Sequence, residues 1–164
     1  MDPATLTPHA SGTRSTRAPE ETRALGRAIG QAAPAGTVLA LIGELGAGKT
    51  QLAKGVAEGL GVRSVVNSPT FVLMNEHAGR LRLYHIDAYR LGDPEEAVAA
   101  GLLDERQADG VAVVEWADRL EGWLPDDRLE IALEGDGVDA DHRRITWRAF
   151  GAQHQRLAAE ALHA

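Results

Sequence analysis

Two hydrophobic rhythms run along the chain. "TVLALI" (37–42) and "VAVVEW" (111–116) are short, unbroken apolar runs, the pattern of strands covered on both faces. Leu52, Val56 and Leu60 recur at every fourth position, a helical stripe, and Gly61 stands just past its end. Leu25 and Ile29 share that spacing earlier. Pro19 suits the first position of their helix, and Glu20 and Glu21 favour its positive end. "APAG" (33–36) breaks it. "FVLMNEH" (71–77) and "RLRLYHID" (80–87) flank Ala78-Gly79 and predict a β-hairpin. "DPEEAVAAGLLDE" (93–105) opens with a capping Asp and a Pro, which predicts a helix. "LEIALE" (129–134) and "RRITWRAF" (143–150) predict late strands around the turn "GDGVDADH" (135–142), and residues 151–162 a terminal helix. Helix and strand patterns alternate early, then strand follows strand. The expectation is an α/β sandwich with a mixed sheet.

Composition narrows the chemistry. At 164 residues and 44% hydrophobic, one domain is expected. There are no cysteines, which removes disulfides, thiolate metal sites and Cys nucleophiles and suits a reducing, cytoplasmic setting. The six histidines (9, 77, 85, 142, 154 and 163) show no metal-ligand spacing. No apolar run approaches the roughly 20 residues that cross a bilayer, so no membrane role is expected. Residues 1–18 lack the apolar segment of a secretory signal, and their Pro and small polar residues predict a disordered tail. The net charge of −7 gives no bulk attraction for nucleic acid, so any service to RNA is expected to run through a partner.

Of the 17 basic residues, only Lys49 and Lys54 are lysines. In a chain that uses Arg nearly everywhere, Lys49 looks chosen: a compact ammonium on a flexible stem fits a phosphate where a planar guanidinium does not. Lys49 ends "GELGAGKT" (43–50), a match to G-x-x-x-x-G-K-[ST]. A buried strand precedes the match and a helical stripe follows, the context in which such a loop wraps phosphate with its backbone amides. The expected nucleotide contacts are Glu44, Leu45, Gly46, Ala47, Gly48, Lys49 and Thr50. Lys49 reaches the β- and γ-phosphates, and the Thr50 hydroxyl ligates Mg²⁺.

The metal and the attacking water need carboxylates too. Glu115 closes "VAVVE", and Asp87 closes "LYHID", where His85 shares its face. The plainer readings are a solvated strand-end acid for Glu115 and a capping residue for Asp87. Thr70, stiffened by Pro69, lies where nucleotide switches keep a γ-phosphate-sensing threonine; an ordinary turn threonine is the alternative. Strict alternation puts Trp116 on the face opposite Glu115, in the core. Trp123 and Trp147 read as packing anchors.

Four blocks occur in order: "GELGAGKT", "SPTF" (68–71), "HIDAYRL" (85–91) followed by "DPEEA", and "VEW" (114–116). Together, with "EETRALG" (20–26) and "LP" (124–125), they resemble the TsaE family of small bacterial ATPases that act in making N6-threonylcarbamoyladenosine in tRNA. The resemblance spans roughly residues 19–150. It implies a P-loop NTPase-like α/β sandwich with a mixed, mainly parallel sheet flanked by helices, followed by a C-terminal helix and tail at 151–164. It implies ATP/ADP and Mg²⁺ as cofactors, and hydrolysis that is weak alone and raised by TsaD-like and TsaB-like partners, with tRNA met only through the complex. By motif, Thr50, Glu115 and Asp87 are metal ligands, Glu115, Asp87 and Thr70 serve hydrolysis, and Trp116 is the aromatic beside the site. Thr22 and either Arg143 or Arg144, with Arg144 preferred, fall where the family meets the adenosine end. Glu44 and Gln51 depart from the family's commoner residues and leave Thr50 intact. A small-molecule kinase and a nucleotide-gated binding module without turnover remain as alternatives. The first lacks an Arg-rich lid, since 92–110 holds only Arg106, and a guanine switch lacks N-K-x-D.

Overall fold

In the computed structural model, residues 8, 10–43, 48–64, 74–88, 108–120, 124–135, 137 and 139–162 are described. Their elements run β1 (Ala10–Thr16), α1 (Pro19–Ala32), β2 (Val38–Ile42), α2 (Lys49–Gly59), β3 (Met74–His77), β4 (Leu83–Asp87), β5 (Val111–Glu115), a 3₁₀ turn (Ala117–Leu120), β6 (Arg128–Gly135), β7 (Arg143–Phe150) and α3 (Ala152–Ala161). The predicted helix at 93–105 lies outside the described residues.

The seven strands form one sheet in the order β1-β7-β6-β2-β5-β4-β3. Its centre is parallel: β2 pairs with β6 on one side and β5 on the other, and β5 pairs with β4. The flanks, β1-β7-β6 and β4-β3, are antiparallel. The mixed α/β sheet anticipated from the pattern is therefore present. The central strands are the unbroken apolar runs, since helices cover one face and the 3₁₀ turn packs on the other.

The larger core gathers Leu25 and Ile29 of α1, Leu52, Val56 and Leu60 around α2, Leu157 of α3, and the inward residues Leu39, Leu41, Val113, Leu129, Ile131 and Ile145 of the sheet. The terminal helix thus belongs to the main core. A smaller cluster on the opposite face holds Ala40, Ile86, Val114, Ala117 and Leu120.

The contact between α1 and α2 is built on glycine. A Cβ at Gly26 would sit 2.2 Å from the Leu52 carbonyl oxygen, and one at Gly30 2.2 Å from that of Val56. Reciprocally, a Cβ at Gly55 would lie 2.0 Å from the Arg23 oxygen, and one at Gly59 2.2 Å from that of Arg27. The two backbones touch, which fixes α2, and with it the start of the helix carrying Lys49, against α1.

Two expectations need correction. Residues 10–16 of the supposed disordered tail form β1, paired along its whole length with β7 from Ala10↔Ala149 to Thr16↔Arg143. An edge strand is held by backbone bonds to its neighbour, so Ser, Thr and Arg side chains do not prevent it. The hairpin turn is longer than Ala78-Gly79, because β3 ends at His77 and β4 begins at Leu83. The extra residues dock: the Arg80 amide donates to the Leu60 carbonyl at 2.6 Å. Its guanidinium donates to the carbonyls of Gly30 at 2.8 Å and Ala33 at 2.9 Å, supplying the cation that α1 lacks at its C-terminal end.

Candidate functional site

The carboxyl ends of β2, β5 and β4 lie side by side. In register, Leu41 is level with Glu115, and Glu115 with Asp87. The rim outside the carboxyl ends of parallel strands is where open α/β sheets take ligands. Beyond β2 the chain passes through the glycine loop into α2. Gly48 caps that helix at φ 100°, a left-handed conformation that glycine adopts without steric cost. Lys49 and Thr50 are the first two helical residues. Glu44, Leu45, Gly46 and Ala47, like Thr70, Arg106 and Trp123, lie outside the described residues.

Lys49 is 4% exposed. Its Nζ donates to the Gly43 carbonyl at 2.6 Å and stands 3.2 Å from the centre of the Trp116 ring. Burial lowers its pKa from the ordinary lysine value, opposed by the charges of Glu115, Asp118 and Asp87. Those opposing charges bring the lysine and the strand-end acids into one electrostatic site. The ammonium rests on a carbonyl and an aromatic face, both partners that an incoming phosphate can outbid.

Trp116 departs from the alternation expected of it. It has φ 58°, the one non-glycine residue with positive φ among those described. The strand stops at Glu115, and the left-handed step carries the indole to Lys49 instead of continuing the two-face pattern. Such a conformation costs of order 1–3 kcal/mol and concentrates at functional sites.

Glu115 is 3% exposed, and its Oε2 lies 2.5 Å from Nε2 of His85, itself 1% exposed. Asp87, at the end of β4, is half-buried. Thr22 is buried on α1 and bonds Thr16 through their hydroxyls at 2.7 Å, tying β1 to α1. A Cβ at Gly48 would meet the Thr22 methyl at 3.7 Å and Arg143 Nε at 3.8 Å. Thr22 and Arg143 therefore both border the start of α2.

Arg144 does not. Its Nε donates to Glu134 at 2.9 Å on the exposed side of the sheet. Arg143, the other arginine named for the adenosine end, has the parity of the core residues Ile145 and Trp147. Sequence reading also left two residues without a role. Asp118 sits three positions beyond Glu115 and acts on Lys49, and His85 holds Glu115.

Among the described residues, no three His, Cys, Asp or Glu side chains form a ready-made metal cluster. Thr50, Asp87 and Glu115 offer oxygen donors only. That set fits Mg²⁺, which takes one or two carboxylates and draws its remaining ligands from water and phosphate.

A family model described as threonylcarbamoyl adenosine biosynthesis protein TsaE matches residues 16–145. The tRNA threonylcarbamoyladenosine biosynthesis protein TsaE of Bacillus subtilis (strain 168) is 45% identical over 143 residues, covering 87% of this chain and 88% of that one. That of Streptomyces coelicolor is 41% identical over 135 residues, 79% of this chain and 90% of the relative. The crystal structure of Bacillus subtilis YdiB has a TM-score of 0.76 at 40% identity, covering 93% of this chain and 95% of that chain.

Proposed function

The chain belongs to the TsaE family, and on that premise we propose that it is a Mg²⁺-dependent ATPase serving the formation of N6-threonylcarbamoyladenosine in tRNA. The observation that carries the reading is the convergence of a buried, loop-end Lys49 with Glu115 and Asp87 at neighbouring strand ends. The proposed phosphate cation and metal-binding acids then sit on regular elements, with Thr50 next after Lys49 on α2.

Each residue has a task in this reading. The backbone amides at the start of α2, aided by the helix dipole, hold phosphate oxygens. Lys49 leaves the Gly43 carbonyl and the Trp116 face for the phosphate tail, exchanging a neutral acceptor for an anionic one. Thr50, Asp87 and Glu115 hold the metal, which supplies charge neutralisation to the β- and γ-phosphates when bound. Thr22 and Arg143 stand at the edge of the α2 start that faces β1 and β7, and they contact the nucleoside end.

Hydrolysis is weak alone and rises in a complex with TsaD-like and TsaB-like proteins, in the cytoplasm. An acidic surface with net charge −7 is consistent with tRNA being held by those partners. No helix among the described residues is long and apolar enough to cross a membrane.

The test is phosphate release from ATP by the purified protein, alone and with TsaD and TsaB together. Stimulation by the pair is expected. Nucleotide binding with no turnover under either condition would favour a nucleotide-gated binding module.

A further inference from the structure

β1 is the last strand at its end of the sheet. It pairs residue for residue with β7 from Ala10↔Ala149 to Thr16↔Arg143, with none skipped. Among the described residues, no strand pairs with its other side. About half the backbone amides and carbonyls of such an edge point away from the sheet and can bond a further strand. Folded proteins commonly blunt an edge with a bulge or a proline. β1 has neither along its seven residues.

A groove of about 460 Å³ runs beside the second half of this strand. Arg14, Ser15, Thr16 and Arg17 form one wall. Successive strand residues point to opposite faces, so four in a row mark the edge of the chain itself as the wall. Ala24 and Ala28 of α1 and Ala161 of α3 line the opposite side, and their short side chains leave room for those of a guest. The acid at the groove, Glu21, is engaged, since it accepts the Arg17 backbone amide at 2.6 Å. Arg14 is half-buried and Arg17 exposed, and neither guanidinium has an ion-pair partner among the described residues. In a chain of net charge −7, they make this edge a local positive site. Such charges repel cationic strands and favour anionic ones.

We propose that the outer edge of β1 is a docking site for an extended, acidic segment of a partner protein, which adds to the sheet as a further strand. Main-chain bonds to the edge supply affinity, and alternate side chains supply specificity. Carboxylates of the guest face Arg14 and Arg17, and small apolar side chains enter the groove against Ala24 and Ala28. This surface goes beyond the nucleotide-site reading and does not depend on it.

The experiment uses the full chain, labelled with ¹⁵N, and two peptides of the length of β1. Both alternate valine with threonine and differ only at the central position, which is glutamate in one and lysine in the other. Amide shifts are followed by NMR up to millimolar peptide. The glutamate peptide is expected to shift the amides of β1 and of the Ala24–Ala28 turn. The lysine peptide should bind about three- to tenfold more weakly, because a cross-strand charge pair becomes a repulsion. Arg14→Glu should reverse that order. If Arg14→Glu does not fold, the two peptides on the parent protein decide. No shifts at millimolar glutamate peptide, shifts confined to other elements, or equal affinities for the two peptides would each overturn the proposal. A short oligouridylate that shifts the same amides at lower concentration than the glutamate peptide would assign the edge to phosphate and overturn it too. Shifts of β1 that grow with protein concentration alone would assign the edge to a second copy of the chain, with the same consequence.

Discussion

The ammonium of Lys49 lies 3.2 Å from the centre of the Trp116 ring, so the residue expected to grip phosphate rests on an aromatic face. Nucleotide must draw it away, and the indole should report the change. Addition of ADP is expected to alter tryptophan emission. Trp116→Phe should remove most of that change, leaving Trp123 and Trp147 as background. Identical titration curves for parent and variant would separate Trp116 from the site.

Lys49→Ala removes the phosphate cation. A hydrogen bond to a charged group contributes about 1.5–3 kcal/mol, so nucleotide affinity should fall roughly ten- to more than a hundredfold in calorimetry. An unchanged isotherm would refute the phosphate role of the loop.

Glu115→Gln keeps the size of the side chain and removes its charge. Phosphate release in Mg²⁺ should drop by at least about tenfold, while ADP affinity in EDTA should change little. Equal turnover in variant and parent would remove Glu115 from the metal site.

Gly55 faces the Arg23 carbonyl so closely that an added Cβ would stand 2.0 Å from its oxygen. Backbone cannot retreat as a side-chain tip can. Gly55→Ala should cost about 3 kcal/mol and lower Tm by roughly 6–12 °C. Gly135 is the control: it has open space around it, and Gly135→Ala should leave Tm nearly unchanged in the same thermal scan.

His154 is 1% exposed, and its Nε2 accepts the Val38 amide proton at 3.1 Å. Burial pushes its pKa below the ordinary value of 6.5, partly opposed by Asp127 and a backbone bond at Phe150. The unfolded chain therefore binds its proton first as pH falls. The stability this neutral ring contributes is complete above about pH 6.5 and declines as acid carries the solution below that value. Urea midpoints should fall between pH 7.5 and 5.5. The fall should be shallower in His154→Gln, which retains an acceptor for Val38. His77, lowered mainly by burial and further by His85, contributes with the same sign in both proteins, so the difference isolates His154. Parallel pH profiles would exclude it.

The sequence by itself determined much of the local structure and singled out the candidate residues. The apolar runs of β2 and β5, the stripe of Leu52, Val56 and Leu60, and Pro19 at the start of α1 each announce a periodicity that local sterics and burial enforce. The loop before Lys49 and the acids closing β4 and β5 stood out as candidates because their residue types suit phosphate and metal. Tertiary structure decided which surfaces meet. It made a polar segment into β1 by offering it the edge of β7, and it capped α1 with Arg80 from a distant turn. It turned Trp116 onto Lys49, chose Arg143 over Arg144 to border α2, and set His85 against Glu115. Periodicity records that a side chain is buried or exposed, whereas its partner is fixed only when strands far apart in the chain come into register.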